Sequence, residues 1–375
     1  MVYDCIVLGL GGVGSAALHS AAQRGWNTLG IEQFGAVHDR GSSHGQTRII
    51  RTAYFEHPDY VPLAQRAWEA WNQLQLETGE WLVEKTGLLQ VGPPDGEVVQ
   101  GVLGSAEQHG LPVEILTIAE LSERFPIFKP DSTHVGVFEE SAGFLRVETC
   151  VASLLKLARL EGAQIHANTE VRSYHVDEQG LISIDTNQGR LETERLIVAA
   201  GPWTQQVLVE LDFHFEVIRK QQQWFQIDRV DAKYENGFPC YLFETDDGCF
   251  YGFPELDRLG IKVAEHSGGQ VVVDPSKLDR NANLQDQGRC ERFLDRHLNF
   301  TKRRLVHNSA CMYTMSPDGH FVIDRHPRYE NVVVAGGMSG HGFKFLPIVG
   351  QQLVDLLDGK DNPCFRFLQM AGRQC

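Results

Sequence analysis

A glycine-rich turn near the start of the chain constrains the fold more than any other feature. Residues 3–8 form a short apolar run, GLGGVG follows at 9–14, and a small-residue helical pattern covers 15–23. A second strand at 28–31 then ends at Glu32. This order of strand, glycine turn, helix, strand and acid is typical of the first unit of a dinucleotide-binding fold. The sequence therefore predicts a Rossmann-like domain.

Each of three glycines in this turn has a physical role in nucleotide binding. Gly9 permits the tight turn, Gly11 lets the backbone approach a pyrophosphate, and Gly14 lets the helix pack closely on the strand. The helix N-terminus stabilises phosphate charge. Glu32 is placed to accept hydrogen bonds from the adenosine ribose. The motif alone does not distinguish FAD from NAD.

Size and charge limit the remaining function classes. The 375 residues suffice for two domains, and 49 acidic against 34 basic side chains give a net charge of −15. This charge disfavours binding to nucleic acid or an anionic membrane. The N-terminus lacks the features of a signal peptide, no apolar run is long enough to span a membrane, and the eight cysteines form no C-x-x-C pair. We expect a cytoplasmic protein with reduced thiols and no metal site.

The pattern of helices and strands predicts a chain that leaves the nucleotide domain and returns. Helices are predicted at 60–78, 148–161 and 348–357, and strands at 164–166, 191–203 and 331–337. Alternating strands dominate from about 213 to 305. The predicted fold class is α/β plus α+β, a Rossmann-like domain joined to a mostly antiparallel substrate domain. The nucleotide domain takes 1–86, 145–212 and 312–375, and the substrate domain takes 87–144 and 213–311.

Four later segments carry a family resemblance. They are GSSHGQTRIIR at 41–51, FYGFP at 250–254, CMYT at 311–314 with DGHF at 318–321, and SGHGFKF at 339–345. In this order they resemble the monomeric sarcosine oxidase family, which includes N-methyltryptophan oxidase and, more distantly, pipecolate oxidase. The resemblance covers nearly the full length. It implies an FAD-binding domain of the glutathione-reductase/D-amino-acid-oxidase type.

The resemblance assigns roles at the flavin. It implies that Cys311 carries FAD through a thioether; the alternative is a buried, inert cysteine. It places His44 and Arg48 near the flavin ring, where positive charge stabilises the reduced, anionic form. Lys262 is implied to lie over the flavin and to promote electron transfer to oxygen, the alternative being an edge-strand lysine. His266 follows it by four residues and joins these catalytic candidates.

The resemblance also assigns a substrate site. Lys344 and Arg51 are implied to anchor a carboxylate, and a two-point grip of this kind fixes the reacting C–H bond. Tyr251 and Tyr313 match active-site tyrosines of the family, although a strand tyrosine is more often a core residue. The loop beside the flavin pyrimidine and the substrate supplies four cofactor-binding candidates, namely Gly340, His341, Gly342 and Lys344.

The implied reaction is oxidation of a secondary or N-methylated amino acid to an imine that hydrolyses, with O2 reduced to hydrogen peroxide. Alternatives are a dehydrogenase that uses another electron acceptor, a pipecolate- or proline-type oxidase, and a flavin-binding regulator without the Arg51 and Lys344 pair. Ser43 replaces the first of two adjacent histidines in the sarcosine and N-methyltryptophan branches, and Thr52 and Phe55 also differ. The substrate side chain is therefore left open. The expected partners are a small amino acid and O2, and a monomer is expected.

Overall fold

The structure is a computed structural model that describes residues 1–371 and 373. Its helices are α1 Gly12–Gln23, α2 Tyr60–Thr78, α3 Glu97–His109, α4 Ile118–Arg124, α5 Val147–Leu160, α6 Thr204–Val207, α7 Leu284–His297 and α8 Leu346–Leu357. Its first strands are β1 Val2–Tyr3, β2 Cys5–Leu8, β3 Thr28–Ile31, β4 Thr47–Ile50, β5 Val83–Lys85, β6 Leu88–Gly92, β7 Glu114–Leu116, β8 Val135–Glu139, β9 Gly143–Arg146, β10 Gln164–His166 and β11 Val171–Val176. The others are β12 Ile182–Thr186, β13 Gly189–Thr193, β14 Leu196–Val198, β15 Glu216–Ile227, β16 Cys240–Thr245, β17 Gly248–Phe253, β18 Ile261–Glu265, β19 Gln270–Val271, β20 Arg303–Met315, β21 Val322–Arg325 and β22 Val332–Gly336.

A six-stranded sheet in the order β10-β3-β2-β14-β22-β21 forms the nucleotide-binding part of the fold. Its strands are parallel except for β21. The central strands β2, β14 and β22 are buried along their whole length, as expected for a parallel sheet covered on both faces. Helices α1 and α8 cross closely, since a Cβ on Gly350 would lie 2.5 Å from the backbone of Ala16.

A second, nine-stranded sheet is built from β6, β7 and β8 together with β15 to β20. Its pairings are antiparallel except for the parallel contact between β16 and β6. The mostly antiparallel region predicted from alternation therefore exists. The long strand β20 runs through position 311 and continues to Met315, so the domain boundary placed at 311/312 falls inside one strand. The end of the predicted segment 312–375, at residues 372, 374 and 375, lies outside the described residues.

Two smaller sheets complete the architecture. One has the order β1-β13-β12-β11, and the other has the order β4-β9-β5. Strand β4 carries residues Thr47–Ile50 of the 41–51 motif, and its pairing with β9 fixes where this part of the motif lies. Among residues 1–371 and 373, no helix is long and apolar enough to cross a membrane.

Most predicted elements agree with the structure, with shifts at their ends. Helix α2 and strand β3 have the predicted bounds, whereas α1, α5 and α8 begin one to three residues earlier than predicted. The strand predicted over 191–203, running into the segment 199–202, is confirmed only in part. Strand β13 ends at Thr193, β14 covers only Leu196–Val198, and Gly201–Trp203 forms a 3-10 turn. Gly201 has a φ of +55° and Pro202 follows it, and neither conformation continues a strand.

Candidate active site

The glycine turn leaves no room for side chains at two of its three predicted positions. Gly9 has a φ of +86°, and a Cβ there would lie 2.6 Å from Ala199 O. A Cβ on Gly14 would lie 1.7 Å from Gly9 O, so the helix packs directly on the turn. Gly11 instead has space for a Cβ and lines a large cavity. The role of Gly11 therefore depends on what occupies that cavity.

Glu32 lies at the end of β3 on the wall of the same cavity. It is 4% exposed, and its carboxylate accepts hydrogen bonds from the backbone N–H groups of Leu10 (2.8 Å) and Phe34 (3.0 Å). Burial raises its pKa, but His38, 3.3 Å away, and these two N–H groups outweigh burial and lower it. Glu32 is therefore an ionised acceptor at a fixed position.

The large cavity has a volume of about 240 Å³ and runs from the glycine turn to the second sheet. Its wall includes Gly9, Gly11, Glu32, Ser42, Ser43, Arg48, Thr169, Ala200, Met312, Tyr313, Thr314, Gly337, Gly340 and Gly342. Thr314 Oγ1 is buried here without a hydrogen-bond partner among the described residues. A cavity with a phosphate-type turn at one end, an acid for a ribose and an unsatisfied hydroxyl further along fits FAD.

Cys311 lies directly behind the far end of this cavity and has an unusual environment. Its Sγ is 3.5 Å from Arg48 Nη2 and 3.5 Å from Ser42 O. Burial raises the pKa of the thiol, but the neighbouring His44 and then Arg48 stabilise the thiolate and lower the pKa to about 6. Burial instead raises the pKa of five other cysteines, Cys5, Cys150, Cys240, Cys249 and Cys290. The environment of Cys311 therefore differs from that of these five buried cysteines.

Lys262 lies on β18, between β15 and β17. It is 1% exposed, so the alternative of an edge-strand lysine is wrong. Its Nζ donates to Gly45 O (2.5 Å), Thr47 O (2.9 Å) and Thr47 Oγ1 (3.3 Å). Burial and then Arg48 lower the pKa of Lys262, whereas the three oxygen acceptors and the nearby Glu148 favour the ammonium form.

Sequence reasoning missed Glu148, which holds the same loop from its other side. Its carboxylate accepts from the N–H groups of Gly45 (2.6 Å) and Gln46 (3.1 Å). Gln46 has a φ of +71°, a conformation that non-glycine residues rarely adopt. The loop between His44 and Arg48 is thus fixed by Glu148 on its N–H groups and by Lys262 on its carbonyls.

A second cavity, of about 60 Å³, adjoins the first. Arg48, Tyr313, Gly340 and Phe343 line both cavities, so the two meet at the end where Cys311 lies. The wall of the small cavity also includes Ile49, Arg51, Phe55, Glu56, Leu242, Tyr251, His266, His341 and Lys344. His341 and Lys344, which were predicted as cofactor-binding residues, line the small cavity rather than the large one.

Arg51 is 4% exposed, so it is not a solvated cation on the protein surface. Its Nη2 donates to both oxygens of Glu56 at 2.7 and 2.6 Å, and its guanidinium lies over the rings of Tyr54 and Phe55. Burial raises the pKa of Glu56, but Arg51 outweighs it and lowers the pKa to about 2. Sequence reasoning missed Glu56. Its signal was a lone acid immediately after the apolar run 53–55.

Lys344 supplies the second cation of the small cavity. It is 5% exposed, and its Nζ donates to His341 O (2.7 Å) and Tyr54 OH (3.1 Å), which leaves one N–H for a ligand. Burial and then Arg51 lower its pKa to about 7, against the opposing effect of Glu56. The ring of His341 is occupied by Tyr54 OH (2.7 Å) and Gly319 O (3.1 Å).

The wall of the small cavity also contains a histidine and two tyrosines, His266, Tyr251 and Tyr313. His266 Nδ1 lies 3.4 Å from Tyr313 OH, and burial lowers the pKa of His266 to about 4. Both tyrosines are buried and border the small cavity, which is the pocket position predicted for them. Gly340, at a φ of +80°, is required here because a Cβ would lie 2.4 Å from the Tyr313 ring.

Comparison with known proteins identifies the family. Residues 4–356 match the family described as FAD dependent oxidoreductase. The monomeric sarcosine oxidase of Streptomyces avermitilis is 39% identical to the chain over 94% of its length and 93% of the relative. The chain belongs to this family of FAD-dependent oxidoreductases.

A further relative and a solved structure of the same fold extend the comparison. The N-methyl-L-tryptophan oxidase of Salmonella dublin is 36% identical over 96% of both chains. The solved structure of NikD, an amino acid oxidase of nikkomycin biosynthesis, superposes with a TM-score of 0.86 at 21% identity, covering 100% of this chain and 99% of NikD. The predictions of family, fold class and FAD-dependent enzyme class are confirmed.

Proposed function

We propose that this protein oxidises a small secondary or N-methylated amino acid to an imine, which then hydrolyses, and that O2 is reduced to hydrogen peroxide. Sarcosine oxidase and N-methyl-L-tryptophan oxidase among its relatives support this substrate class. We propose further that it acts in the cytoplasm as a monomer, with no nucleic-acid or membrane partner. The acidic net charge of −15 supports the absence of an anionic partner.

One observation carries the proposal: a small cavity lined by the buried cation Lys344 adjoins the far end of the nucleotide cavity. Lys344 presents one unused N–H to this space, and Arg51 with Glu56 forms a paired wall beside it. An amino acid held at Lys344 by its carboxylate has its amine-bearing carbon directed toward Arg48 and Tyr313, where the two cavities meet. A flavin-binding regulator was expected to lack the Arg51 and Lys344 pair.

FAD, when bound, accepts the hydride equivalent from the carbon next to nitrogen and returns the electrons to oxygen. The protein contributes position, charge and exclusion of water. Lys344 binds the carboxylate, and the aromatic side chains of Phe55, Tyr251 and Phe343 exclude water from the small cavity. His266 is neutral near pH 7 because burial lowers its pKa to about 4, so it can accept a hydrogen bond from a substrate N–H.

A covalent bond between Cys311 and FAD is part of the proposal. The thiolate is the nucleophilic form of cysteine, and the pKa of about 6 makes it the dominant form at neutral pH. Arg48 contacts Sγ and also borders both cavities, which brings the thiolate and a cation to the far end of the nucleotide cavity. The same Arg48 charge would stabilise a reduced, anionic flavin.

Lys262 is proposed to assist the reaction with oxygen. Its ammonium group is buried, held by the three oxygens of Gly45 and Thr47, and lies 4.8 Å from the ring centre of Phe253 and 5.4 Å from that of Trp224. A fixed positive charge in a site of low polarity strongly stabilises developing negative charge. A dehydrogenase that passes electrons to another acceptor would not need this charge.

Anaerobic bleaching of the flavin by a panel of amino acids tests the substrate class. The panel contains sarcosine, N-methyltryptophan, pipecolate, proline and a fructosyl amino acid. We expect at least one small secondary amino acid to bleach the flavin, and readmission of air to restore the colour with formation of peroxide. Bleaching without peroxide would favour the dehydrogenase alternative, and bleaching by pipecolate or proline alone would favour the cyclic imino acid oxidase. No bleaching by any member would refute the proposal.

A further inference from the structure

Lys220 is a buried lysine that no role assigned above involves. It lies on β15, is 5% exposed, and is paired in the β15–β20 register directly with Cys311. Its Nζ donates to three consecutive backbone carbonyls, those of His266 (2.6 Å), Ser267 (2.8 Å) and Gly268 (2.5 Å). All three ammonium hydrogens therefore serve one loop, the turn that follows β18.

Carbonyl oxygens that converge on one point repel each other unless a cation lies between them. The loop at 266–268 adopts this arrangement, with Gly268 at a φ of +59°. The carboxylates that face Lys220 cannot replace this interaction: Glu265 binds Arg289 (2.5 Å) and Asp286 binds Arg219 (2.6 Å). Ser267 Oγ also holds the loop, because it accepts from Cys249 N (2.9 Å) and donates to Glu265 Oε1 (3.0 Å). The convergence of the three carbonyls, however, depends on the ammonium group.

The same ammonium group touches the wall of the small cavity on two sides. His266, whose carbonyl it binds, projects its ring into that cavity and lies 3.4 Å from Tyr313 OH. Lys220 Nζ itself lies 5.0 Å from the centre of the Tyr313 ring. His266 N also donates to Cys249 O (2.7 Å), which holds the start of the loop but not its three carbonyls.

We infer that Lys220 is a positioning residue of the substrate pocket, whose ammonium group orders the 266–268 loop and thereby fixes His266 and Tyr313 against the bound amino acid. The inference rests on the proposed function and deepens it. Lys220 does not touch the substrate cavity, because it is absent from the wall of both cavities.

Lys220 should lose its charge within a pH range that can be reached experimentally. Burial lowers the pKa of Lys220 to about 8, and the groups that face it act in both directions. Those groups are Glu265, Asp286 and Cys249, which raise the pKa, Arg289, which lowers it, and His266 and Tyr313, which contact it. A neutral amine has two hydrogens for three carbonyls and no charge. The loop should therefore loosen as the pH rises through about 8.

The test combines two measurements on the holoenzyme, with Lys220→Met, Lys220→Arg and, as control, Lys277→Met. Lys277 is a solvent-exposed lysine, so its replacement should leave both measurements unchanged. Hydrogen–deuterium exchange of the amides at 266–270 requires no substrate. Because intrinsic amide exchange itself speeds up with pH, the quantity compared is the protection factor, the intrinsic rate divided by the observed rate. We expect lower protection factors in wild type above pH 8 than below it, and low protection factors at all pH values in Lys220→Met.

Anaerobic stopped-flow reduction by the amino acid that bleaches the wild type is the second measurement. The limiting rate at saturation should fall in wild type as the pH rises through about 8. In Lys220→Met it should be about 10- to 100-fold lower at neutral pH and independent of pH in this range. Re-oxidation by O2 should be unchanged, because Lys262 is untouched. In Lys220→Arg the side chain stays charged, so the limiting rate should not fall as the pH rises through about 8. This variant tests the inference even if Lys220→Met does not fold.

Two results would overturn the inference. One is unchanged protection of the amides at 266–270 in Lys220→Met. The other is a limiting rate of flavin reduction that falls near pH 8 in Lys220→Arg as much as it does in wild type. A wild-type enzyme that no amino acid bleaches would instead refute the proposed function. The exchange measurement would still decide whether Lys220 orders the loop.

Discussion

The affinity of the enzyme for a carboxylate should fall as the pH rises above 7, because Lys344 is the cation of the substrate cavity that loses its charge in this range, whereas Arg48 and Arg51 stay protonated. Arg51 and Glu56 are joined at 2.6 and 2.7 Å and together contribute no net charge. The pKa of Lys344 is lowered to about 7, chiefly by burial. A carboxylate binds the protonated form, so each pH unit above 7 should raise Kd about tenfold. Two units correspond to about 2.7 kcal/mol of lost binding free energy.

Other groups of the cavity do not titrate in this window. Glu56, with a pKa of about 2, stays ionised, and His341 and His266, with pKa values of about 3 and 4, stay neutral. Lys220 titrates near 8 but contacts loop carbonyls rather than the carboxylate position. The slope of Kd against pH therefore reports on Lys344.

Titration of the oxidised holoenzyme with acetate, followed by the flavin absorbance between about pH 6 and 9, measures this slope. Acetate has no C–H bond next to nitrogen, so no turnover interferes. Calorimetry in two buffers of different ionisation enthalpy should detect proton uptake on binding above pH 7, since a bound carboxylate raises the pKa of Lys344. Lys344→Arg is the control and should bind with little pH dependence. A constant wild-type Kd across the range, or an equal slope in Lys344→Arg, would refute the reasoning.

Three further outcomes are expected. Flavin should remain with wild-type polypeptide after acid precipitation and be released from Cys311→Ala; release from mature wild type would contradict a covalent bond. Lys262→Met keeps the length of the stem but removes the charge, so re-oxidation by O2 in stopped flow should slow by about 10²–10³-fold while reduction changes modestly. The opposite pattern would assign Lys262 to the substrate. Glu56→Gln leaves the buried guanidinium of Arg51 without its carboxylate and should lower the free energy of unfolding by about 3–5 kcal/mol, measured by urea denaturation of the holoenzyme. An unchanged midpoint would show that the pair adds nothing to stability.

Much of the site could be predicted from short segments of sequence. The turn at 9–14 could be predicted because its glycines are required by local geometry: Gly9 has a positive φ, and Gly14 allows a close contact between helix and turn. Cys311 was predicted through its motif and Lys262 through the family resemblance, and in the structure both side chains are buried beside charged groups. The error at 191–203 arose because apolar residues continue past the end of β14 into a 3-10 turn, which periodicity does not separate from a strand.

Glu56, Glu148 and Lys220 were not predicted. Glu148 and Lys220 have no local sequence feature that distinguishes them from surface charges, and the apolar run before Glu56 suggests burial but not its partner. Their roles depend on what burial and distant segments bring to them. Glu148 meets a loop about 100 residues earlier in the chain, and Lys220 meets carbonyls 46 to 48 residues later. Hydrogen-bond partners of this kind are set by strand register and sheet order rather than by neighbouring residues.

The sequence by itself determined the fold class, the nucleotide-binding turn and the family, because periodicity, glycine conformation and motif spacing are properties of the local chain. The tertiary structure decided the charge of the site. Lys344 and Tyr54 are 290 residues apart, yet their contact and the burial of both set how readily Lys344 loses its proton. From the sequence, Arg51 was expected to bind the substrate carboxylate, whereas in the folded protein it forms an ion pair with Glu56. Electrostatic free energies depend on distance and on exclusion of water, and only the packed structure specifies these two quantities.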